Sequence, residues 1–143
     1  MIGEIRRILG THRSWPVALI GAGNLGRALL GYKGFEQQGF CVVAAFDVDA
    51  AKVGGDIDGV PIYDFERLPE LVRDQGIQLA IVAVPAVAAQ GVADKLVAAG
   101  ISGVLNFAPV TLLLPEHVQT VGVDLAIELE QLSFAVVNRP EKV

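Results

Sequence analysis

The sequence has little cysteine, little histidine and no long uninterrupted apolar run. A single cysteine, Cys41, among 143 residues excludes an internal disulfide. Since Cys41 starts an apolar segment, we expect it to be a buried small hydrophobic residue. Gly, Pro, Asp or Lys interrupts every apolar run before the length of about 18 residues that a membrane-spanning helix needs. The opening residues also lack an apolar core long enough for a signal peptide, so we expect a soluble, cytoplasmic protein.

Positive charge is also scarce over most of the chain. The formal net charge is −5, so nucleic acid is not an obvious partner for the bulk of the sequence. The first 14 residues nevertheless carry +2, from three arginines and one glutamate, which leaves −7 for the remainder. Such a basic prefix is typical of a junction with a different domain, but it is equally typical of the solvated face of a helix. Charge alone does not distinguish these two interpretations.

What the chain has instead is strand-like apolar runs that alternate with helix-like segments. Hydrophobic residues make up 52% of the sequence and charged residues 19%, a balance that suits a sheet buried on both faces. A short first helix is predicted to end at Gly10, with Ile5, Ile8 and Leu9 on one stripe. Strands are predicted at 16–20, 41–49, 60–63, 78–85, 103–109 and 118–123, with helices after the first, third, fourth and last of them. This alternation predicts an α/β, Rossmann-type fold with a doubly wound, mostly parallel sheet.

The last predicted helix, 124–138, is apolar on almost every side. It begins at Asp124, a residue type that favours helix N-caps. Its apolar residues form one stripe and most of the remaining face: Leu125, Leu129, Leu132 and Val136, then Ile127, Phe134, Ala135 and Val137. A helix of this kind needs burial on more than one side. A second subunit and the core of an ordinary monomer explain the pattern about equally well.

Three glycines follow the first predicted strand with the spacing G-x-G-x-x-G. Gly21 permits the tight turn, Gly23 lets the backbone approach a pyrophosphate, and Gly26 lets helix and strand pack closely. The N–H groups at the start of the next helix then face the phosphates. Asp47 comes 21 residues after Gly26, at the end of the second strand, where a carboxylate accepts hydrogen bonds from ribose hydroxyls and repels a 2′-phosphate. The motif therefore predicts binding of NAD(H) rather than NADP(H).

A catalytic set is harder to find. The histidines, His12 and His117, do not follow predicted strand ends, where ligands bind in open α/β sheets. Neither Tyr32 nor Tyr63 has a lysine four residues later, and hydride-transferring enzymes commonly use His or a Tyr with a nearby Lys. The segments that do follow strands, 84–86 and 106–109, are apolar apart from an asparagine. We therefore expect a dinucleotide-binding protein that is not an enzyme and holds no metal.

Two alternatives remain open at this point. One is a small NAD-dependent oxidoreductase, or a fragment of one, which turnover of a substrate would reveal. The other is a coenzyme A-binding domain like that of acyl-CoA synthetase subunits, because that fold has a similar glycine turn. Asp47 argues weakly against the second, since it suits a ribose diol without a 3′-phosphate beside it.

The motifs together resemble the Rex family of redox-sensing transcriptional repressors of bacteria. The resemblance rests on "RRILG" before a tryptophan, then "GAGNLGRALL", "FDVDAAKVG", "VPAVAAQGVADKLVAAGISGVLNFAPV" and a terminal "VDLAIELEQLSF", and it covers essentially the whole chain in order. It implies a homodimer whose C-terminal helix crosses to the partner subunit. It also implies that NADH and NAD⁺ are signals rather than substrates, and that the nucleotide state sets whether DNA is held.

The resemblance also implies roles for single residues. It assigns the pyrophosphate turn to Gly21, Ala22, Gly23, Asn24, Leu25 and Gly26. It places the adenosine side at Asp47, Val48 and Lys52. It places the nicotinamide side at Val84, Pro85, Asn106 and Phe107. Tyr32, after the first helix of this domain, and Asp124, at the start of the last helix, occupy the places of the family's NAD⁺/NADH switch. Leu125 stands where some members place a phenylalanine against the nicotinamide, which keeps an apolar contact but removes an aromatic one.

The resemblance further implies a winged-helix DNA-binding domain ahead of the Rossmann domain, as in Rex repressors. Residues 1–14 are similar only to the tail of that domain, so we expect 1–14 to be its remnant, 15–122 the NAD(H)-binding domain and 123–143 a dimerisation helix and tail. The resemblance then implies that operator DNA binds only the full-length protein. The chain is either a longer protein cut to its sensor domain or a naturally short relative, and the sparse sequence before its first apolar stripe favours the former.

Overall fold

The computed structural model describes residues 14–138 of the 143-residue chain. The predicted first helix, with Ile5, Ile8 and Leu9, and also His12 lie outside the described residues. The strands are β1 Trp15–Ile20, β2 Phe40–Asp47, β3 Asp56–Ile57, β4 Val60–Asp64, β5 Leu79–Val82, β6 Gly103–Asn106 and β7 Gln119–Gly122. The helices are α1 Asn24–Leu30, α2 Gly34–Gln37, α3 Leu68–Gln75, α4 Ala86–Ala98 and α5 Leu125–Asn138, and a 3-10 turn at Phe65–Arg67 leads into α3.

The described strands form one sheet in the order β3-β4-β2-β1-β5-β6-β7. The β3–β4 hairpin is antiparallel, and the other five neighbouring pairs are parallel. The winding direction reverses at β1, because β2 lies on one side of it and β5 on the other. In open sheets of this kind, ligands bind outside the carboxyl ends of the strands at such a switch point. The predicted Rossmann-type sheet is therefore confirmed.

Apolar side chains cover both faces of the sheet, because consecutive residues of a strand point to opposite sides. In β1, Ala18 and Ile20 belong to one layer, and Val17 and Leu19 belong to the other. Helices α3 and α4 close the first layer with the buried residues Leu68, Leu71, Val72, Ala89, Ala93 and Leu96. Helices α1 and α2 pack on the second layer with Leu29, Leu30 and Phe35. Over β5, β6 and β7 this second layer opens into an apolar groove.

The predicted strand at 60–63 is β4, but periodicity does not predict α2 or β3, since elements of four and two residues are too short to show a pattern. The hairpin turns at Asp58 and Gly59, which have φ of 50° and 87°. The Gly59 N–H donates to Asp56 Oδ2 at 3.0 Å, so local turn chemistry determines this hairpin. The prediction that Cys41 is buried is wrong. It is partly exposed at the amino end of β2, where it lines a surface cavity.

Helix α5 begins where it was predicted, but its own chain does not bury it. Asp124 Oδ1 accepts the Ala126 N–H at 3.1 Å, which confirms the N-cap. Leu129 is 66% exposed, Phe134 70% and Val137 79%. These side chains therefore do not belong to the core of the described chain. Within residues 14–138, no helix is both long enough and apolar enough to span a membrane.

Candidate functional site

The glycine turn joins the carboxyl end of β1 to α1 at the switch point of the sheet. Gly21 has a φ of +108°, which residues with a side chain rarely adopt. Its N–H donates to the Phe46 carbonyl at 2.8 Å. A Cβ at this position would also collide with the Ala83 carbonyl oxygen. Only glycine therefore lets the turn pass between the ends of β2 and β5.

The other two glycines have opposite surroundings. A Cβ on Gly26 would collide with the Gly21 carbonyl oxygen, so Gly26 allows α1 to pack against the turn. Gly23 is exposed and extended, with φ −83° and ψ −159°, and beyond its chain neighbours no atom lies within 4 Å of its would-be Cβ. The space over Gly23 is thus open, at a helix N-terminus that no side chain caps. A phosphate group fits there, since the first N–H groups of a helix lack partners within it.

The carboxylate of Asp47 lies beside this turn. Its Oδ2 accepts the Ala22 N–H at 2.8 Å, and its Oδ1 accepts the Asp49 N–H at 2.8 Å. These two bonds fix the side chain at the junction between β2 and the glycine turn. Each carboxylate oxygen can still accept a further hydrogen bond. The site therefore offers a preorganised acceptor for a ribose hydroxyl next to the place for the phosphates.

The residues after Asp47 form an exposed loop on the adenosine side. Val48 is 79% exposed and so presents an apolar surface next to the carboxylate. Lys52 Nζ lies 3.3 Å from Asp49 Oδ2. The pKa of Asp49 is held below its usual value by the hydrogen bond from the Ala51 N–H first, and then by Lys52. Lys52 therefore pairs with Asp49 in its own loop, on the predicted adenosine side.

The nicotinamide side that the sequence predicts is formed by the segments after β5 and β6. Val84 is half-buried, with Cγ1 3.1 Å from the position of a Cβ on Gly21. Pro85 is exposed and precedes α4, and Phe107 is half-buried and donates its N–H to the Val82 carbonyl at 2.9 Å. Val84 thus packs against the glycine turn, while Phe107 continues the β5–β6 pairing toward the same edge of the sheet.

Asn106 ends β6, next to the predicted nicotinamide side. Its side chain is buried, its Nδ2 donates to the Val110 carbonyl at 2.8 Å, and its Oδ1 accepts the Ala108 N–H at 2.9 Å. Both ends of the amide are therefore bonded within the loop 106–110. We assign to Asn106 the role of holding this loop in shape, because a buried amide needs such partners.

Tyr32 and Asp124 lie far apart along the sheet. Tyr32 follows α1, stacks edge-on against Phe35 with ring centroids 4.9 Å apart, and lines a cavity of about 500 Å³ near the amino end of β2. Asp124 follows the carboxyl end of β7, at the opposite side of the sheet. One chain does not bring these two predicted switch residues together. Leu125 starts α5, and its side chain lies outside the described part of the structure.

Gln90 is a residue that the sequence analysis missed. Its Oε1 accepts the Leu113 N–H at 2.8 Å, and its Nε2 donates to the Leu113 carbonyl at 3.0 Å and to Asp94 Oδ1 at 2.9 Å. The paired bonds join the loop after β6 to α4. Gln90 therefore holds this loop against α4, beside the predicted nicotinamide side. No local signal marks it, because its partner is 23 residues away.

The arrangement as a whole suits binding rather than proton transfer. It combines backbone N–H groups, one fixed carboxylate and apolar walls. His117 is exposed and lies two residues before the start of β7, so it is at the amino edge of the sheet, opposite to the site. Within residues 14–138, no cluster of three or more His, Cys, Asp or Glu side chains is placed to hold a metal ion.

A parallel sheet with a glycine turn and an acid at neighbouring strand ends defines a Rossmann-type nucleotide-binding domain. The family model described as "CoA binding domain" matches residues 12–110. The redox-sensing transcriptional repressor Rex of Pelotomaculum thermopropionicum is 47% identical over 133 residues, which are 93% of this chain and 62% of that protein. The chain belongs to this domain family and, within it, to the Rex family of redox-sensing transcriptional repressors.

Solved structures give the same result. The crystal structure of the Rex-family repressor RSP with NAD⁺ and operator DNA matches with a TM-score of 0.84 at 34% identity, over 93% of this chain and 61% of that one. The structure of RSP with NADH matches with a TM-score of 0.83 at 34% identity, over 93% and 64%. The chain therefore spans less than two thirds of the length of these relatives.

Proposed function

We propose that the chain is the NAD(H)-sensing domain of a redox-responsive repressor and binds NADH and NAD⁺ as signals. The open space over Gly23, beside the fixed carboxylate of Asp47, is the observation that carries this proposal. The pyrophosphate lies over the start of α1, and Asp47 accepts the adenosine ribose hydroxyls. RSP, which is 34% identical, was crystallised with NADH and with NAD⁺ plus operator DNA, and this supports the same two ligands here.

The nicotinamide in this proposal lies against Val84, Pro85 and Phe107. None of these side chains has a proton to exchange at neutral pH. Asn106, the polar residue beside them, is bonded within its own loop. Walls of this kind hold a ring without changing it, which favours a sensor over an NAD-dependent oxidoreductase. The relatives' description as transcriptional repressors supports the same choice.

The proposal includes a homodimer formed through α5. The helix exposes Leu129, Phe134 and Val137 within one chain, and a second copy would remove this apolar surface from water. Tyr32 and Asp124 lie at opposite sides of one chain's sheet, so a switch that uses both requires the second copy. In such a dimer, Asp124 of one subunit lies near the nicotinamide held by the other.

The charge of the nicotinamide gives this dimer a means of discrimination. The oxidised ring carries a positive charge that the reduced ring lacks, so a nearby carboxylate favours NAD⁺ by coulombic attraction. A ligand shifts a two-state dimer only by its differential affinity for the two states. The Asp124 carboxylate supplies such a difference in affinity between NAD⁺ and NADH. It lies at the start of α5, where a small rotation of the helix alters the whole dimer interface.

Operator DNA is bound, in this proposal, by the whole protein in the cytoplasm. Beyond the basic first 14 residues the chain carries −7, so its Rossmann domain repels a phosphate backbone. We therefore place DNA contact in a winged-helix module joined at the basic prefix. The nucleotide controls that module through the conformation of the dimer rather than by touching DNA.

Calorimetric titration with NADH, NAD⁺, NADPH and coenzyme A tests this function. A sensor of the proposed kind binds NADH tightly and binds NADPH and coenzyme A at least about tenfold more weakly, a difference of about 1.4 kcal/mol. Coenzyme A binding that matches or exceeds NADH binding would instead support a coenzyme A-binding domain. Stoichiometric oxidation of NADH by an added substrate would support an oxidoreductase and contradict the proposal.

A further inference from the structure

The loop after β2 carries two opposite signals about a nucleotide with a 2′-phosphate. A carboxylate at the end of the second strand repels that group, whereas a cationic side chain close by accommodates it in NADP-binding sites. Residues 47–53 contain two carboxylates, Asp47 and Asp49, and one cation, Lys52. The position of the Lys52 amine therefore decides how strongly the site rejects NADP(H).

Asp49 is fixed at the centre of this loop by backbone groups. Its N–H donates to Asp47 Oδ1 at 2.8 Å, and its Oδ1 accepts the Ala51 N–H at 3.0 Å. Its carbonyl accepts the N–H of Lys52 at 2.9 Å and that of Val53 at 3.3 Å. The Asp49 carboxylate is thus held close to the Asp47 carboxylate by bonds that do not involve the lysine amine.

The amine of Lys52 reaches this fixed carboxylate. Its Nζ lies 3.3 Å from Asp49 Oδ2, and the side chains of Lys52 and Asp49 are 33% and 50% exposed. Such a pair adds little to stability, because water screens the charges and ordering long side chains costs entropy. Here the backbone has already ordered the carboxylate, so only the lysine side chain loses freedom. The pair therefore matters for where the positive charge lies more than for folding.

We infer that Asp49 is a further specificity-determining residue of the nucleotide site, because it keeps Lys52 from a 2′-phosphate. The Asp49–Lys52 pair neutralises the one positive charge in the loop and leaves the negative charge of Asp47 uncompensated. Asp49 acts through Lys52 rather than by contact with the nucleotide, so it is a positioning residue. The inference rests on the proposed function, which places the adenosine ribose beside Asp47.

The competing role of Asp49 is to shape the loop by closing the turn at Ala51. Two conservative replacements separate charge from shape. Asp49→Asn keeps an oxygen that can accept the Ala51 N–H but removes the charge. Asp49→Glu keeps the charge for Lys52 but lengthens the side chain that closes the turn. If charge decides, Asp49→Asn changes the choice between NADH and NADPH and Asp49→Glu does not.

Displacement calorimetry on the full chain measures the ratio of NADPH affinity to NADH affinity in each variant. Asp49→Asn is expected to raise this ratio about threefold to tenfold, the effect of one unit charge near a protein surface, and Asp49→Glu to keep the wild-type ratio. Asp74→Asn is the matched control, since it also removes an exposed carboxylate from an ion pair, with Arg73 on α3. A ratio that rises in Asp49→Glu but not in Asp49→Asn, or rises equally in the control, would overturn the inference.

A second pair of variants tests whether Asp49 acts through the lysine. In a Lys52→Met background, Asp49→Asn is expected to raise the ratio only about twofold or less, because no amine remains to be released. With the lysine present, the rise should shrink between about 0.05 M and about 0.5 M salt, since salt screens exposed charges. An equal rise with and without the lysine contradicts the role given to the pair.

The same titrations distinguish failure of this inference from failure of the proposed function. A wild-type chain that does not bind NADH would overturn the proposed function and this inference with it. A wild-type chain that binds NADH, together with an Asp49→Asn variant that keeps the wild-type ratio, would overturn this inference alone.

Discussion

The backbone N–H of Ala22 donates to the carboxylate of Asp47 at 2.8 Å, although the two residues are 25 positions apart. This bond ties the end of β2 to the glycine turn after β1. The proposed phosphate-binding and ribose-binding parts of the site are thereby fixed relative to each other. Preorganisation of this kind reduces the ordering that binding must otherwise accomplish.

Asp47→Ala is expected to weaken NADH binding at least about tenfold and to reduce the preference for NADH over NADPH. The ribose loses its acceptor, and a 2′-phosphate no longer meets a negative charge. Calorimetry with both nucleotides measures the two effects. Asp74→Ala is the matched control, since it removes an exposed carboxylate from α3, away from the site. An unchanged NADH-to-NADPH ratio in Asp47→Ala would contradict the assigned role.

The glycines of the turn are expected to respond differently to alanine. Gly23→Ala should leave the melting temperature nearly unchanged, because its Cβ enters open space, yet lower NADH affinity at least about tenfold by occupying the phosphate position. Gly21→Ala should cost about 2 kcal/mol or more of unfolding free energy through its positive φ and its collision with the Ala83 carbonyl. Thermal melts and NADH titrations of both variants decide the matter. Wild-type affinity in Gly23→Ala would place the phosphates elsewhere.

Asp124 is expected to affect nucleotide choice through its charge and helix stability through its cap. Asp124→Asn keeps a capping side chain but removes the charge, so the ratio of NADH affinity to NAD⁺ affinity should rise about threefold to tenfold. Asp124→Ala should change the ratio similarly and also destabilise α5 by about 1 kcal/mol. Titrations and circular dichroism separate these effects. A ratio unchanged in both variants would remove Asp124 from the switch.

Gln90→Leu is expected to loosen the loop after β6 without changing the size of the side chain greatly. The lost pair of bonds to Leu113 should speed hydrogen exchange at the Leu113 amide and reduce stability by about 1 kcal/mol. Gln75→Leu, at the exposed end of α3, is the control. Exchange at Leu113 that is equally slow in both variants would show that the loop is held by other contacts.

The sequence predicted the parts of this structure that depend on local pattern. The glycine spacing and the position of Asp47 identify the turn and the acid because strand, turn and helix follow one another without interruption. The start of α5 at Asp124 was likewise predicted from a local signal, the N-cap residue type. In each case the residues that form the pattern are close together in the sequence, within one strand or a few turns of one helix.

Contacts between distant segments were not predictable in the same way. Asn106 looks like a ligand-binding group, since it is a polar residue at a strand end, and only the fold of the next four residues shows that its amide is used there. Gln90 depends on a partner in another element. Cys41 begins an apolar run and still is partly exposed, because the sheet is open at the amino end of β2.

The exposed apolar surface of α5 has a consequence for how much of this protein must be present. In the proposed dimer, a second copy covers the exposed side chains of Leu129, Phe134 and Val137, so the stability of the helix would vary with protein concentration by mass action. A dilute sample and a concentrated one would melt at different temperatures with identical nucleotide. Abundance in the cell would then act on the same equilibrium as the ratio of NADH to NAD⁺, which makes the amount of the protein itself an input to its response.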